Sequence, residues 1–362
     1  MSQQTPAPLW SETPLRYANN ISKLLGVKAY LKLENLHPSF SFKYRGISHF
    51  IQTKRQELGS DVHCVAASGG NAGLAAACAA RRLGCRCTVF IPEGVTESTL
   101  KVLRDEDAEV VVIGKFYAEA LKAAVEMTKR DPRALLVEAY NDPLLWEGHG
   151  SMIKEIQAQI PNKPSAIFCS VGGAGAVGWE DVPIVALETI GSDCFYHSMS
   201  LNNGRFNATQ RTLPEDVDLV RDGTTGLYLA HFRKFNSKAS GSLGASQPAE
   251  AVVKMALEWP GGVKCVSVPD PLSMRSLGLF ADDQKMLVEL ACSTTLVPAY
   301  HCALFDKLLG PSDEERTVVF IVCGGFKTSV AEAAEYRGIA DADPGATWTV
   351  KYDDGSLFTF PK

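Results

Sequence analysis

Four short segments hold the side chains and backbone groups that could do chemistry. In the first, Pro38-Ser-Phe-Ser-Phe-Lys-Tyr-Arg-Gly46, Lys43 stands between two aromatic residues at the expected start of a helix. Burial and the helix N-terminus would lower the pKa of this amine, so that its nitrogen could attack a carbonyl carbon. A surface lysine on a first helical turn is the alternative for this segment taken alone.

Two further segments are glycine-rich turns that follow predicted strands. Ser68-Gly-Gly-Asn71 opens an apolar helix, where exposed backbone N–H groups would favour a carboxylate or a phosphate. An ordinary strand-to-helix turn explains the same glycines equally well. Cys323-Gly-Gly-Phe-Lys327 lacks the spacing of a P-loop, and Cys323 by itself is typical of a small core residue.

The remaining segment contains a literal GxGxxG pattern, Gly173-Ala-Gly175-Ala-Val-Gly178, directly after a predicted strand. A dinucleotide-binding fingerprint also requires a helix that opens at the third glycine. The chain instead continues as Trp179-Glu-Asp-Val-Pro183 into the next predicted strand. The pattern therefore argues against an NAD-linked dehydrogenase and leaves a phosphate cradle as the use of these glycines.

The elements that must position these segments alternate between short β-rich runs and longer helical patterns. Several runs are apolar on both faces, which suits a sheet covered by helices on both sides. The order predicts an α/β fold with largely parallel sheets. The predicted strands are Ala29–Leu33, Cys64–Ala67, Cys87–Ile91, Glu109–Ile113, Leu135–Glu138, Ala166–Val171, Ile184–Glu188, Val263–Val268 and Val318–Cys323. Predicted helices include Asn71–Leu83, Phe116–Lys129 and Thr294–Leu309.

Two stretches depart from this alternation. Residues 202–244 are polar and rich in glycine, serine and asparagine, which predicts a long insertion or a mobile loop. Thr347–Phe360 alternates polar and apolar residues around Asp353-Asp354-Gly355, which predicts a terminal hairpin.

Composition excludes several classes of function. The 362 residues are enough for about two domains, and 46% hydrophobic with 21% charged residues is ordinary for a globular protein. A net charge of −5 without a block of Lys and Arg argues against nucleic-acid and membrane-surface partners. No apolar run approaches the roughly 18 residues needed to span a bilayer. Ten cysteines without a CxxC pair, and no visible secretory signal, predict reduced thiols and a cytoplasmic protein.

Taken together and in order, these segments resemble the L-serine/threonine dehydratases among the fold type II pyridoxal-phosphate (PLP) enzymes, in particular the eukaryotic L-serine dehydratase branch. The resemblance extends from about Thr13 to Ala331 and includes Thr13-Pro-Leu15 and Asn141-Asp-Pro-Leu-Leu-Trp-Glu-Gly-His149. It implies a two-lobed tryptophan-synthase-β-like fold with PLP between the lobes. Residues 1–38 and 146–362 would form the larger, cofactor-binding domain, and residues 39–145 the smaller α/β domain.

The resemblance also implies roles for individual residues. Lys43 would hold PLP covalently and, once displaced by substrate, act as the general base on the α-proton. Phe42 would pack against the cofactor. The substrate carboxylate would bind to the turn formed by Ser68, Gly69, Gly70 and Asn71, and Asn71 would also contact the cofactor ring.

Further implied cofactor contacts come from the second half of the chain. Gly172, Gly173 and Gly175 would donate N–H groups to the PLP phosphate, and Cys323 would face the pyridine nitrogen. Glu188 falls at the position of a cation-binding acid, which implies a monovalent cation. The implied reaction is the deamination of L-serine, with L-threonine as a second substrate, to pyruvate or 2-oxobutanoate and ammonia. The implied assembly is a homodimer.

Some residues depart from the family pattern. Phe40 replaces a glycine, which can adopt backbone angles that other residues avoid. Ala174 interrupts the glycine loop, and roughly ten residues, about three helical turns, are missing after it. These changes leave an alternative function open, in which a catalytically impaired paralogue or splice product acts as a binding or partner protein.

Overall fold

The structure, a computed structural model, describes residues 7–170, 179–207 and 211–362. The chain divides into two compact units. The first contains Glu34–Glu155, Gly325–Lys327 and the described residues up to Thr13. The second contains Pro14–Leu33, Ile156–Gly324 and Thr328–Lys362.

Strands and helices alternate along much of the chain. The strands are β1 (Leu15–Tyr17), β2 (Lys28–Leu33), β3 (His63–Ala67), β4 (Arg86–Ile91), β5 (Glu109–Val112), β6 (Ala134–Leu136), β7 (Ala166–Ser170), β8 (Ile184–Thr189), β9 (Val217–Arg221), β10 (Tyr228–Phe232), β11 (Val263–Val268), β12 (Thr317–Val322), β13 (Thr347–Lys351) and β14 (Leu357–Pro361). The helices are α1 (Asn19–Leu25), α2 (Lys43–Leu58), α3 (Asn71–Leu83), α4 (Glu97–Asp105), α5 (Tyr117–Arg130), α6 (Pro143–Gln159), α7 (Cys194–Asn202), α8 (Ser240–Leu243), α9 (Glu250–Glu258), α10 (Asp270–Gln284), α11 (Leu290–Thr295), α12 (Val297–Tyr300), α13 (Cys302–Leu309) and α14 (Val330–Ala342), with a 3-10 turn at Glu34–Leu36. No helix among the described residues is both long and apolar enough to cross a membrane.

The first unit is built on a parallel four-stranded sheet in the order β5-β4-β3-β6. All five residues of β3 are buried, because helices cover this sheet. Its core includes Ile47 and Ile51 of α2, Leu74 of α3 and Val89 of β4. The helix α3 is rich in alanine, so that α2 can pack closely against it. This core fixes the helices whose first residues are Lys43 and Asn71.

The second unit contains an eight-stranded sheet in the order β1-β2-β12-β7-β8-β11-β13-β14. Its five central strands are parallel, and antiparallel pairs lie at both edges. The predicted terminal hairpin is confirmed as β13 and β14, with Gly355 at a φ of 87° in the connecting turn. Each of the nine predicted strands is present, and the prediction of an α/β fold with mostly parallel sheets is confirmed.

Residues 202–244, predicted as an insertion or mobile loop, contain the antiparallel pair β9–β10, which buries Val217, Ala230 and Phe232. One predicted helix differs from the structure. The predicted single helix Thr294–Leu309 is instead the three short helices α11, α12 and α13. Pro298, the second residue of α12, would break or kink a continuous helix, because its ring occupies the position of a hydrogen-bonding N–H.

The predicted domain boundaries stay a prediction beside this division into units. The sequence assigns residues 1–38 to the larger domain, whereas the contacts assign the chain up to Thr13 to the first unit. Leu9 and Trp10 pack against the core of the first unit, which explains this assignment.

Candidate active site

Lys43 is the first residue of α2, and its side chain is half-buried. Its Nζ donates a hydrogen bond of 3.3 Å to the carbonyl oxygen of Ala139 and lies 5.1 Å from the centre of the Phe42 ring. The ring of His149 also lies beside the Phe42 ring, at 4.9 Å between ring centres. The predicted reactive amine therefore stands at a helix N-terminus, beside an aromatic ring and a buried imidazole.

His149 is buried in α6, and the reason for its close approach to α2 is the absence of side chains at two glycines. A Cβ atom at Gly46 would lie 2.6 Å from the His149 ring, and one at Gly148 would lie 2.7 Å from the Cα of Gly46. Burial, followed by the charge of Lys43, lowers the pKa of His149 to about 3. The imidazole next to Lys43 is therefore neutral at physiological pH.

Arg45 is the third residue of α2, and its guanidinium holds two carboxylates in the core of the first unit. It donates to Glu34 from Nε at 2.6 Å and to Glu155 from Nη1 and Nη2, both at 2.6 Å. Burial alone would raise the pKa of Glu34, but hydrogen bonds from His37 and Arg45 outweigh burial and lower it to about 2. Sequence reasoning missed this network, in which Arg45 and Glu155 are 110 residues apart.

The loop before Lys43 contains backbone in an unusual conformation. Phe40 has a φ of 58° in the left-handed region, and its side chain is 52% exposed. Its carbonyl oxygen accepts a hydrogen bond of 2.7 Å from the N–H of Gly325. The position therefore uses the backbone freedom expected of a glycine, although a phenylalanine occupies it.

The turn Ser68–Asn71 joins β3 to α3 in the same unit as Lys43. The hydroxyl of Ser68 accepts a hydrogen bond of 3.2 Å from the N–H of Gly70, and Asn71 is the buried first residue of α3. A Cβ at Gly73 would lie only 1.8 Å from the carbonyl oxygen of Ser68, so the turn requires glycine there. A Cβ atom added at Gly69 would lie 3.2 Å from Cγ2 of Ile91, so a side chain at this position would press against Ile91. Backbone N–H groups at the start of α3 make the turn suitable for an anion.

Cys323, the predicted contact of the pyridine nitrogen, belongs to the second unit. Cys323 follows β12, and its thiol lies 3.3 Å from the hydroxyl of Ser170 at the end of the neighbouring strand β7. Hydrogen bonds from Cys292 and then from Ser170 lower the pKa of Cys323 below that of an ordinary thiol. The predicted phosphate-binding glycines, Gly172, Gly173 and Gly175, lie outside the described residues.

Glu188, the predicted cation ligand, is buried in β8. Its two carboxylate oxygens accept hydrogen bonds from the N–H groups of Phe195, at 3.2 Å, and Tyr196, at 2.6 Å. Burial, with the nearby charge of Asp193, raises the pKa of Glu188 to about 8. Within the described ranges there is no group of three or more His, Cys, Asp or Glu side chains that could hold a metal ion. The cation-binding role of Glu188 stays a prediction.

Comparison with known proteins agrees with these features. A family model described as "Pyridoxal-phosphate dependent enzyme" matches residues 7–324. The mouse (Mus musculus) protein named L-serine dehydratase/L-threonine deaminase is 35% identical, over 89% of this chain and 93% of its own. The human (Homo sapiens) protein named serine dehydratase-like is also 35% identical, over 88% of this chain and 91% of its own. The crystal structure of a fungal L-serine ammonia-lyase from Rhizomucor miehei superposes with a TM-score of 0.78 at 29% identity, over 91% of this chain and 98% of its own.

Proposed function

Because the chain belongs to the family of pyridoxal-phosphate dependent enzymes, we propose that it deaminates L-serine, with L-threonine as a second substrate. The products are pyruvate or 2-oxobutanoate, and ammonia. The observation that carries the proposal is the position of Lys43, a half-buried amine at the start of α2 beside Phe42. The names of the mouse relative and of the fungal structure support the choice of substrate.

The residues of the first unit fit such a cofactor. A primary amine at Lys43 can bond covalently to an aldehyde carbon, and the Phe42 ring 5.1 Å away can pack against an aromatic ring. Asn71, which lies in the same unit as Lys43, would hold the ring from its oxygen side. When bound, the cofactor supplies an electron sink for the carbanion formed at the Cα of the substrate.

The side chains of this protein would supply binding and proton transfer. Lys43 Nζ would accept the proton from the substrate Cα, and the N–H groups of the Ser68–Asn71 turn would hold the substrate carboxylate. His149 is neutral, so it adds no second positive charge beside Lys43. Loss of the β-hydroxyl as water and hydrolysis of the resulting imine convert one L-serine into one pyruvate and one ammonia.

The decisive test replaces Lys43. We expect Lys43→Ala to lose the visible absorbance that purified protein gains with added PLP, and to lose pyruvate formation from L-serine by at least about 1000-fold. Lys54→Ala is the matched control, because Lys54 lies on the same helix and pairs with Glu57 on the surface, at 2.7 Å. Serine turnover retained by Lys43→Ala would contradict the proposal. Borohydride reduction and peptide mapping of the wild-type protein should place the label on Lys43.

The alternative of an impaired paralogue or splice product is not favoured, because relatives named for deamination cover about nine-tenths of the chain. We also propose a cytoplasmic homodimer. The compartment is supported by the ten cysteines, all described and all free of disulfides. Light scattering would test the dimer, and cell fractionation would test the compartment.

A further inference from the structure

Two acidic side chains lie buried close together in the second unit. Glu188 lies in β8, and Asp193 lies just before α7 with a side chain that is only 1% exposed. Asp193 accepts hydrogen bonds from the N–H of Gly191 at 3.1 Å and from the hydroxyl of Ser267 at 2.7 Å. A buried carboxylate needs a positive charge nearby, because hydrogen bonds alone compensate only part of its lost hydration.

Lys351 supplies that charge from a distant part of the chain. Its Nζ lies 3.3 Å from Oδ2 of Asp193 and 5.8 Å from the centre of the Tyr196 ring. Lys351 is the last residue of β13, and its backbone pairs with Ser267, the same residue that donates to Asp193. The lysine side chain is 25% exposed, so only its end reaches the buried acid.

A second basic side chain, His197, does not serve as the counter-charge. Its Nε2 lies 3.6 Å from Oδ2 of Asp193, beyond hydrogen-bond distance. Burial lowers the pKa of His197 to about 4, so the ring is neutral at pH 7. Lys351 is therefore the charged group at Asp193.

This arrangement does not fit a resident cation at Glu188. Each oxygen of Glu188 already accepts one backbone N–H of α7, and the nearby carboxylate of Asp193 already has an ammonium group. We propose that Lys351 is a built-in counter-charge that takes the place of a bound monovalent cation at this acid pair. The terminal hairpin thereby makes the folded protein independent of potassium or sodium.

The test is the melting temperature of the full-length protein in potassium, sodium or choline chloride at equal ionic strength. We expect the wild-type protein to melt at the same temperature in all three salts. Lys351→Met should melt roughly 5–10 °C lower in choline, because it leaves a buried carboxylate unpaired. Potassium or sodium should restore part of that loss, and Lys351→Arg should behave like the wild type in all three salts.

A double variant separates the charge from a general packing effect. If Lys351 acts by neutralising Asp193, then Asp193→Asn combined with Lys351→Met should melt higher than Lys351→Met alone. Wild-type protein that melts higher in potassium than in choline would overturn the proposal, as would Lys351→Met that melts like the wild type in choline. Melting requires neither cofactor nor substrate, so failure here is distinguishable from failure of the proposed deaminase activity.

Discussion

At the scale of single residues, the main local conflict lies at Phe40. A side chain in the left-handed region costs roughly 1–2 kcal/mol, and the half-exposed Phe40 ring recovers little of that by burial. Glycine would remove the strain but would increase the entropy of the unfolded chain. We therefore predict that Phe40→Gly raises the free energy of unfolding by about 0.5–1 kcal/mol, measured by urea denaturation.

Phe40→Ala is the control for this prediction. It removes the ring but keeps the Cβ that causes the strain, so it should give no stabilisation. Equal stabilisation by the alanine and glycine variants would show that the ring, not the backbone, is responsible.

At the scale of elements, the start of α2 is fixed by charge pairing as well as by packing. Arg45 joins α2 to the Glu34–Leu36 turn and to α6, and its side chain is fully buried. We predict that Arg45→Met lowers the free energy of unfolding by about 3–5 kcal/mol, because two carboxylates lose their shared guanidinium. Urea denaturation at pH 7 would measure this loss.

An exposed ion pair provides the comparison. Arg104 pairs with Glu97 at 2.9 Å on the surface of α4, where both side chains are more than half exposed. Arg104→Met should cost less than about 1 kcal/mol. Equal losses for the two arginine variants would contradict the structural role of Arg45.

The elements also show what the sequence could and could not predict. Strands such as β12 and helices such as α3 follow from local apolar patterns, since an element that is buried on all sides leaves a continuous apolar run in the sequence. The short strands β9 and β10 are not predicted, because Val217 is the one buried residue of β9 and the surrounding sequence is polar and rich in glycine, serine and asparagine. The contacts of Arg45 and Lys351 could not be predicted, since each joins residues more than 100 positions apart.

At the scale of the whole molecule, the buried His149 and His197 and the partly buried His301 make stability depend on pH. Burial lowers the pKa of His149 to about 3 and those of His197 and His301 to about 4, against an ordinary value near 6.5. Below pH 6.5 the unfolded chain therefore binds protons that the folded protein does not. This part of the stability is fully present above pH 6.5 and is lost as the pH falls toward 4.

The magnitude of this loss can be tested with one histidine outside the candidate site. Between pH 7 and pH 5 each such histidine should cost about 2 kcal/mol of unfolding free energy. His301 packs against Phe360 of the terminal hairpin, at 5.7 Å between ring centres, and is suitable for replacement. We expect His301→Gln to lose about 2 kcal/mol less than the wild type over this range, measured by urea denaturation at pH 7, 6 and 5. Parallel pH dependences for the two proteins would show that His301 is protonated equally in the folded and unfolded states.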